Sequence, residues 1–440
     1  MVIQFIGRKQ ELEFLNKKYK EKRLQFIPIY GRRRVGKTEL IKEFIKNKKA
    51  IYFLADKGRE INQINQFSQT AGEILKDNLL LNNAFNNWQD IITYITNKEP
   101  EIIIVIDEFP YLINSNKAIP SIFQKLIDEQ LKNNFLILCG SSITMMEKGV
   151  LSTKSPLYGR RTGQIKLEPF KLKEAKKFIN NYDFEKQITS YSILGGIPLY
   201  LKQFNDQKTI QENIEENFLN KFELLNKEAE ILLKEEFRES NTYFSILTAI
   251  SIGKHKLQEI ADNIKIERTT LTKYLEELEK LDIIEKITPI TENPLKSRKG
   301  QYFFKDNYLN FWFRFIYPNK TKIEQEQKKE TIKKIMNELP RYTGKIFEKI
   351  CKELLQEEKT GNYWHKETEI DLITIKETET IITECKWKEQ INAEQILSQL
   401  KEKTKKLPYK NITYRIMAKN FKQKTNKVKC INLKELEKLT

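Results

Sequence analysis

"FIPIYGRRRVGKT", residues 26–38, carries an apolar run directly into glycines, three arginines, a lysine and a threonine. The spacing fits GxxxxGK(S/T), with Gly31, Gly36, Lys37 and Thr38 in register. A strand that ends in such a loop and opens a helix, here "ELIKEFIKN", points backbone N–H groups into one concavity at the positive end of the helix dipole. The stretch therefore predicts a phosphate-binding loop, and a chance glycine-rich turn is the alternative.

This motif also predicts what its residues bind. Lys37 would reach the β- and γ-phosphates of ATP, and the Thr38 hydroxyl would ligate Mg²⁺. The glycines would let the backbone approach the phosphates without a Cβ in the way. ATP and Mg²⁺ are therefore the expected cofactors, and the residues predicted to bind the nucleotide are Gly31, Arg32, Arg33, Arg34, Val35, Gly36, Lys37 and Thr38.

Apolar runs around this loop predict the fold class. Between residue 5 and about residue 140, "FIPIYG", "KAIYFLA", "EIIIVIDEFP" and "NFLILCGSS" alternate with helical patterns. Runs that are apolar throughout are typical of parallel strands buried on both faces. We expect an α/β, doubly wound P-loop NTPase domain whose ligand sits at the carboxyl ends of the strands.

Two acids follow the third run, in "IIIVIDEFPYL". Asp107 would hold Mg²⁺ through a water molecule, and Glu108 is placed to orient and deprotonate an attacking water. A pair of solvated turn acids is the alternative.

Polar residues after the fourth run are further candidates. Ser141 or Ser142, in "LILCGSSITMM", could contact the γ-phosphate or the attacking water, although a polar strand end would look the same. Arg160 and Arg161, in "PLYGRRTG", could neutralise charge on a γ-phosphate in the same chain or in a neighbouring subunit. A surface basic pair is the alternative.

Six motifs in this order resemble the archaeal-type ATPase family of the AAA+/STAND division: "FIGRKQEL", "GRRRVGKT", "IDEFPYL", "LCGSS", "PLYGRRTG" and "GGIPLYL". The resemblance covers about the first half of the chain. It implies that residues 5–8 lie by the adenine, that Ser141 is the polar sensor and that Arg160 is the arginine-finger candidate. It also implies that the turn of Gly196 and Pro198 belongs to a helical lid.

The composition limits the class of protein. A chain of 440 residues suggests about two to four domains, and 39% hydrophobic with 31% charged residues is typical of soluble globular proteins. No apolar run approaches the roughly 20 residues of a membrane span, and no secretion signal is evident, so we expect a cytoplasmic protein without a membrane partner. The four cysteines form no CxxC pair, which argues against metal–thiolate and disulfide frameworks.

The formal charge of +18 suggests a nucleic-acid partner, most simply DNA. A lysine-rich composition of the whole genome would produce the same excess, so charge alone leaves both explanations open.

Helical patterns in residues 240–318 predict a winged helix-turn-helix domain. Its third helix, "TTLTKYLEELEKLDII", could enter a major groove, and "EKITPITENP" with "GQYFFKDNYLNFWFRF" would form the wing. Acidic residues of that third helix weaken its basic character, so a domain that docks protein or is purely structural is the alternative. The residues available to DNA are Arg268, Thr269, Thr270 and Lys273 on the helix and Lys296, Arg298 and Lys299 at the wing tip.

Residues 319–340 read as a helical linker, and a last domain should start near residue 341. There "WHKETEIDLITI" and "IITECKWK" predict two alternating strands joined by a short turn. Glu384 and Lys386, two residues apart, share a face of the second strand, and the hairpin can bring Asp371 beside them. Two carboxylates and a lysine at one edge predict a divalent-metal site able to cleave a phosphodiester.

This last segment resembles the PD-(D/E)xK nuclease superfamily, specifically the C-terminal domain of unknown function that follows this ATPase. The resemblance implies that Glu348 is an auxiliary acid, Asp371 and Glu384 are metal ligands, and Lys386 is the catalytic lysine. Ile370 stands where the name of the motif has proline. An inactive nuclease fold kept for DNA binding or assembly is the alternative.

The leading hypothesis is an ATP-hydrolysing switch that acts on DNA through a winged helix and a nuclease-like domain, with nucleotide-dependent homo-oligomers as one mode of action. The rivals are a non-nucleolytic signalling ATPase with a docking domain and a DNA-binding regulator. The predicted domains are residues 1–235 (ATPase with helical lid), 240–318 (winged helix), 319–340 (linker) and 341–440 (nuclease-like α/β domain).

Overall fold

The computed structural model describes residues 5–237, 239–405 and 407–440. The chain divides into two compact units, with the division between Pro169 and Phe170. The helices of the first unit are α1 (Lys9–Lys20), α2 (Lys37–Ile45), α3 (Glu60–Leu75), α4 (Asn78–Leu81), α5 (Trp88–Lys98), α6 (Pro110–Ser115), α7 (Ile119–Lys125) and α8 (Ile143–Met146). Its strands are β1 (Gln25–Tyr30), β2 (Ala50–Leu54), β3 (Ile103–Asp107), β4 (Phe135–Gly140) and β5 (Ile165–Lys166).

The first unit is built on a parallel sheet with the strand order β2-β3-β4-β1-β5. Every residue of β1, β3 and β4 is buried, because unbroken apolar runs suit strands that are covered on both faces. The predicted parallel α/β sheet is thereby confirmed. Since β4 lies between β3 and β1, the carboxyl ends of these three strands meet at one edge.

The second unit begins with helices and ends with a mixed sheet. Its helices are α9 (Leu172–Ala175), α10 (Phe184–Leu194), α11 (Pro198–Leu201), α12 (Ile210–Asn217), α13 (Leu224–Glu236), α14 (Ser240–Ser251), α15 (Leu257–Ile264), α16 (Arg268–Lys280), α17 (Asn307–Phe311), α18 (Lys320–Glu324), α19 (Lys328–Leu355), α20 (Ala393–Thr404) and α21 (Leu433–Glu437). Its strands are β6 (Ile284–Ile287), β7 (Gln301–Phe304), β8 (Thr360–His365), β9 (Thr368–Ile375), β10 (Thr380–Lys386), β11 (Ile391–Asn392), β12 (Ile412–Ala418), β13 (Phe421–Gln423) and β14 (Lys429–Ile431). π-Helical turns span Leu126–Gln130, Glu147–Leu151 and Trp312–Ile316, and 3₁₀ turns span Lys176–Phe178 and Tyr317–Asn319.

Helices α14, α15 and α16 followed by the antiparallel pair β6–β7 form what we call the three-helix module. Leu271, Leu275 and Leu278 recur at helical spacing on α16 and are buried, so this stripe fixes the side of α16 that faces the module. The residues on its other side stay exposed.

The predicted domain ranges remain predictions, but one boundary falls inside a helix. Helix α19 runs from Lys328 to Leu355 with Pro340 in its interior, so the chain is helical where a new domain was expected at residue 341. Buried Ile335, Leu339 and Ile346 continue one apolar stripe across the proline. The packing of that stripe holds the helix together where a proline would otherwise end it.

The last sheet has the strand order β14-β12-β10-β9-β8, with β9 antiparallel to both neighbours and β10 parallel to β12. The single strand predicted for "WHKETEIDLITI" is wrong: it is two strands, because Lys366 adopts a left-handed φ of 53° and turns the chain. The alternation predicted for β10 is also wrong, since its residues are buried from Thr380 through Cys385. The hairpin itself, β9 to β10, is confirmed.

None of the helices in the described part of the chain has the length and apolar character needed to cross a membrane.

Candidate functional site

Residues 31–38, which are predicted to bind phosphate and which we call the phosphate loop, comprise the turn from β1 to α2 and the first two residues of α2, at the carboxyl edge of the first sheet. Gly31 has a φ of 149°, and a Cβ at this position would lie 2.3 Å from the carbonyl oxygen of Leu167. Gly36 has a φ of 92°, which L side chains rarely adopt. Both glycines of the motif are therefore required by the backbone path, which turns tightly into the first turn of α2.

The Lys37 ammonium group lies inside this loop and is buried. Its Nζ donates to the carbonyl oxygens of Gly31, at 2.9 Å, and Arg32, at 2.8 Å. Burial lowers the pKa of Lys37, because a desolvated ammonium group loses its hydration. Phosphate oxygens could replace the two carbonyls and would neutralise this buried charge.

Asp107, at the end of β3, accepts three hydrogen bonds. Its Oδ2 accepts from the Thr38 hydroxyl at 2.8 Å and from the Tyr52 hydroxyl at 2.6 Å. Its Oδ1 accepts from the backbone N–H of Glu108 at 2.9 Å. The carboxylate is buried and, together with the Thr38 hydroxyl, offers hard oxygen donors of the kind that Mg²⁺ prefers.

Tyr52 was missed by the sequence reasoning. It lies on β2, next to β3, where burial and then the bond to Asp107 raise the pKa of its hydroxyl. The only signal in the sequence was a single hydroxyl-bearing residue in the apolar run "AIYFLA". That this hydroxyl bonds to Asp107 depends on the order of the strands in the sheet, which local sequence does not give.

Glu108 follows Asp107 with a left-handed φ of 53°. Its Oε2 accepts from the Ser141 hydroxyl at 2.9 Å and from the Ser141 backbone N–H at 3.3 Å. Of the two candidate serines, Ser141 therefore makes the contact with Glu108, while Ser142 precedes α8 without a side-chain capping bond. The structure brings Thr38, Asp107, Glu108 and Ser141 together in one hydrogen-bonded set.

Arg160 makes a two-pronged ion pair in its own chain. Its Nε and one terminal nitrogen donate to the carboxylate oxygens of Asp128 at 2.7 and 2.8 Å, and the other donates to the Pro156 carbonyl at 3.0 Å. The pairing lowers the pKa of Asp128. Asp128 was missed, because nothing in its local sequence distinguishes it from other surface acids. Arg161 instead lies over the Tyr158 ring, 5.7 Å from its centroid.

The segment predicted to lie by the adenine reaches the phosphate loop. Arg8 donates to the Val35 carbonyl at 3.0 Å and to the Glu168 carbonyl at 2.7 Å. Within the loop, Arg32 is buried, whereas Arg33 and Arg34 are half-buried.

A second group of charged side chains lies in the last sheet of the second unit. Glu384 on β10 is buried, and its Oε1 lies 2.5 Å from Lys386 Nζ. Asp371 on β9 accepts from the backbone N–H of Cys385 at 2.7 Å through its Oδ2. Lys403 on α20 lies 3.7 Å from Glu384 Oε2 and was missed by the sequence reasoning. We call Asp371, Glu384, Lys386 and Lys403 the carboxylate–lysine cluster.

Burial and like charge act on the acids around this cluster. Burial and then Glu384 raise the pKa of Asp371 to about 6. Burial and then Asp371 raise the pKa of Glu348, on α19, to about 8. In residues 5–237, 239–405 and 407–440, no set of three or more His, Cys, Asp and Glu side chains is arranged to hold a metal ion. A metal here would therefore depend on the two carboxylates that the sequence singled out.

The residues predicted to contact DNA lie on the surface of the three-helix module. Both sets are exposed: Arg268, Thr269, Thr270 and Lys273 on α16, and Lys296, Arg298 and Lys299 between β6 and β7. Lys299 is ion-paired with Glu292 at 2.6 Å. The turn of Gly195 and Gly196 connects α10 to α11, whose first residue is Pro198, and the assignment of this turn to a helical lid stays a prediction.

Three family models match the chain. Residues 5–204 match an "ATPase domain predominantly from Archaea". Residues 185–307 match a domain of unknown function, and residues 312–404 match "Archaea bacterial proteins of unknown function".

Individual proteins match as well. An uncharacterised protein of Methanocaldococcus jannaschii is 37% identical over 400 residues, which are 88% of this chain and 88% of that protein. An uncharacterised ATP-binding protein of the same organism is 56% identical over 48 residues, 11% of this chain and 81% of that protein. The solved structure of a Walker-type ATPase of Pyrococcus abyssi shares the fold, with a TM-score of 0.56 at 21% identity, over 70% of this chain and 96% of that one.

Proposed function

The chain belongs to the family of the uncharacterised Methanocaldococcus jannaschii protein, its residues 5–204 match an ATPase domain predominantly from Archaea, and we propose that it is an ATP-hydrolysing switch that acts on DNA. The proposed ATP hydrolysis rests on one observation. The buried ammonium group of Lys37 lies in the loop beside a hydrogen-bonded set that consists of Thr38, Asp107, Glu108 and Ser141. These groups lie at the carboxyl ends of three adjacent parallel strands, where α/β sheets bind ligands.

The phosphate loop supplies the binding contacts. Its backbone N–H groups and the N-terminus of α2 face the phosphates, and Lys37 exchanges its two carbonyl partners for phosphate oxygens. Thr38 and Asp107 would hold Mg²⁺, whose charge would offset that of the phosphates.

Glu108 acts as the base toward the attacking water, and Ser141 holds its carboxylate in place. Arg160 assists by neutralising phosphate charge, within one chain or between subunits of a nucleotide-dependent homo-oligomer. Its ion pair with Asp128 means that this role requires Arg160 to exchange one anionic partner for another.

We further propose that the three-helix module is a winged helix that binds DNA. The exposed basic residues at the start of α16 and on the hairpin support this role. The acidic residues of α16 argued against DNA binding, but two of them make hydrogen bonds within the module. Glu277 accepts from the Tyr243 hydroxyl, and Glu279 accepts from the Lys286 backbone N–H. Both acids lie in the C-terminal half of α16, away from Arg268 at its start.

The C-terminal domain is proposed to be a metal-dependent nuclease of the PD-(D/E)xK type. Asp371 and Glu384 would hold one Mg²⁺ or Mn²⁺, which would activate water for attack on a phosphodiester when bound. The buried Glu384 Oε2 has no hydrogen-bond partner, so the donor set has an oxygen to offer. Glu348 is the auxiliary acid, and Lys386 stabilises the phosphate. The competing proposal is a regulatory ATPase whose C-terminal domain only docks partners; it is favoured by the ion pairs that already occupy Glu384.

Glu108→Gln should bind ATP with unchanged affinity but hydrolyse it about 10²–10⁴-fold more slowly, because the amide keeps the shape and cannot accept the proton. Phosphate release and retention of labelled ATP measure the two effects. Glu129→Gln, which removes an exposed acid of the same unit, is the control and should behave like the parent. Parental turnover in Glu108→Gln would show that another group is the base.

Reversing the charge of Lys273, Lys296 and Arg298 should weaken binding to duplex DNA. For every phosphate that the variant no longer neutralises, the slope of log affinity against log salt should flatten by about one unit. Fluorescence anisotropy over a salt series measures both quantities. The control reverses the charge of Lys9, Lys132 and Lys154, which are also exposed, and it changes the net charge by the same amount. Equal losses of affinity in the two triple variants would mean that the binding is non-local attraction to a basic chain.

Asp371→Asn should lose both Mn²⁺ binding and DNA cleavage at the C-terminal site, since it removes a ligand charge but can still accept from the Cys385 N–H. Lys386→Ala should retain Mn²⁺ and lose cleavage, whereas exposed Lys388→Ala should cleave normally. Calorimetry and gel assays with and without ATP measure these outcomes. If Asp371→Asn still cleaves DNA, the nuclease activity lies at another site. If the parent cleaves none of the substrates, the docking role of the C-terminal domain is favoured.

A further inference from the structure

The two oxygens of the buried Glu384 carboxylate have different surroundings. Oε1 is engaged by Lys386 Nζ at 2.5 Å. Oε2 is buried without a hydrogen-bond partner, and Lys403 Nζ lies 3.7 Å away, beyond hydrogen-bond distance. One ammonium group is therefore bound directly, while the second is held nearby by charge alone.

Lys403 is carried by a well-anchored helix. Leu397 and Leu400 of α20 are buried in the core of the last sheet. Thr404, the next residue, is buried and shares a hydrogen bond with the Tyr414 hydroxyl at 2.9 Å. The Lys403 side chain is 38% exposed, so its ammonium group can turn from Glu384 to solvent while the backbone stays in place.

The charges of the cluster balance when no metal is present. Asp371 and Glu384 supply two negative charges, and Lys386 and Lys403 supply two positive ones. A divalent cation at the carboxylates would compete with both ammonium groups for the same oxygens and leave the cluster with two surplus positive charges. A phosphodiester is the anion that the proposed DNA role brings to this place.

We propose that Lys403 is a phosphate-binding residue of the C-terminal domain, a second ammonium group that pairs with a DNA phosphate once a divalent cation occupies the carboxylates. This inference rests on the proposed action on DNA, but not on cleavage. Without metal, Lys403 faces Glu384 and contributes little to DNA binding. With metal, it is released toward the phosphate.

The test compares the affinity of the full-length chain for a labelled DNA duplex in EDTA and in Ca²⁺, measured by anisotropy. Lys403→Ala should bind about as well as the parent in EDTA but about 5–10-fold more weakly in Ca²⁺, with the salt slope in Ca²⁺ reduced by about one. Lys403→Arg should restore most of the Ca²⁺-dependent affinity. Lys401→Ala removes the same charge from an exposed position on the same helix and should show no dependence on Ca²⁺.

Thermal unfolding shows whether each variant is folded, and Lys403→Gln replaces Lys403→Ala if the shorter side chain destabilises the domain. The proposal is overturned if Lys403→Ala loses the same affinity in EDTA and in Ca²⁺, or no more affinity than Lys401→Ala. It is also overturned if the parent binds no DNA in either condition. A Ca²⁺-dependent loss in a parent that never cleaves supports the role of Lys403 and overturns only the nuclease activity.

Discussion

The first unit depends on the hydrogen bonds that converge on the Asp107 carboxylate. Thr38 reaches it from the start of α2, Tyr52 from β2, and the Glu108 N–H from the turn after β3. A buried carboxylate is tolerated only where such donors replace water, and losing one hydrogen bond to a charged group costs about 1.5–3 kcal/mol. The contact therefore fixes the phosphate loop relative to the acids that follow β3.

The two candidate sites satisfy a buried carboxylate in different ways. Asp107 accepts from two hydroxyls and an N–H, all neutral donors that leave its charge available to a cation. Glu384 is faced by two ammonium groups, which balance its charge and that of Asp371 until a cation displaces them. In our proposals, the first arrangement binds a metal ion together with a nucleotide, whereas the second couples metal binding to the release of lysines.

Local sequence was enough to predict the tight loop after β1 and the position of the two acids after β3, because the backbone path of the loop requires glycine at fixed spacing and the strand is apolar throughout. Contacts that depend on the order of the strands in the sheet could not be predicted from local sequence. Tyr52 meets Asp107 only because β2 lies beside β3, and several helices separate them in the chain. Pro340 lies beside the domain boundary that was predicted near residue 341, but α19 continues through it. The packing of the apolar stripe of α19 overrides the tendency of proline to end a helix.

The central claim, that residues 31–38 bind the phosphates of ATP, is tested most directly by the affinity of Lys37→Ala for Mg²⁺-ATP, measured by calorimetry beside the exposed Lys46→Ala. Two charge-assisted hydrogen bonds are worth about 3–6 kcal/mol, so Lys37→Ala should lose about 10²–10⁴-fold in affinity while Lys46→Ala binds like the parent. Thermal unfolding must show that Lys37→Ala is folded, because Lys37 also donates to the Gly31 and Arg32 carbonyls. Equal affinity in the two folded variants would contradict the account.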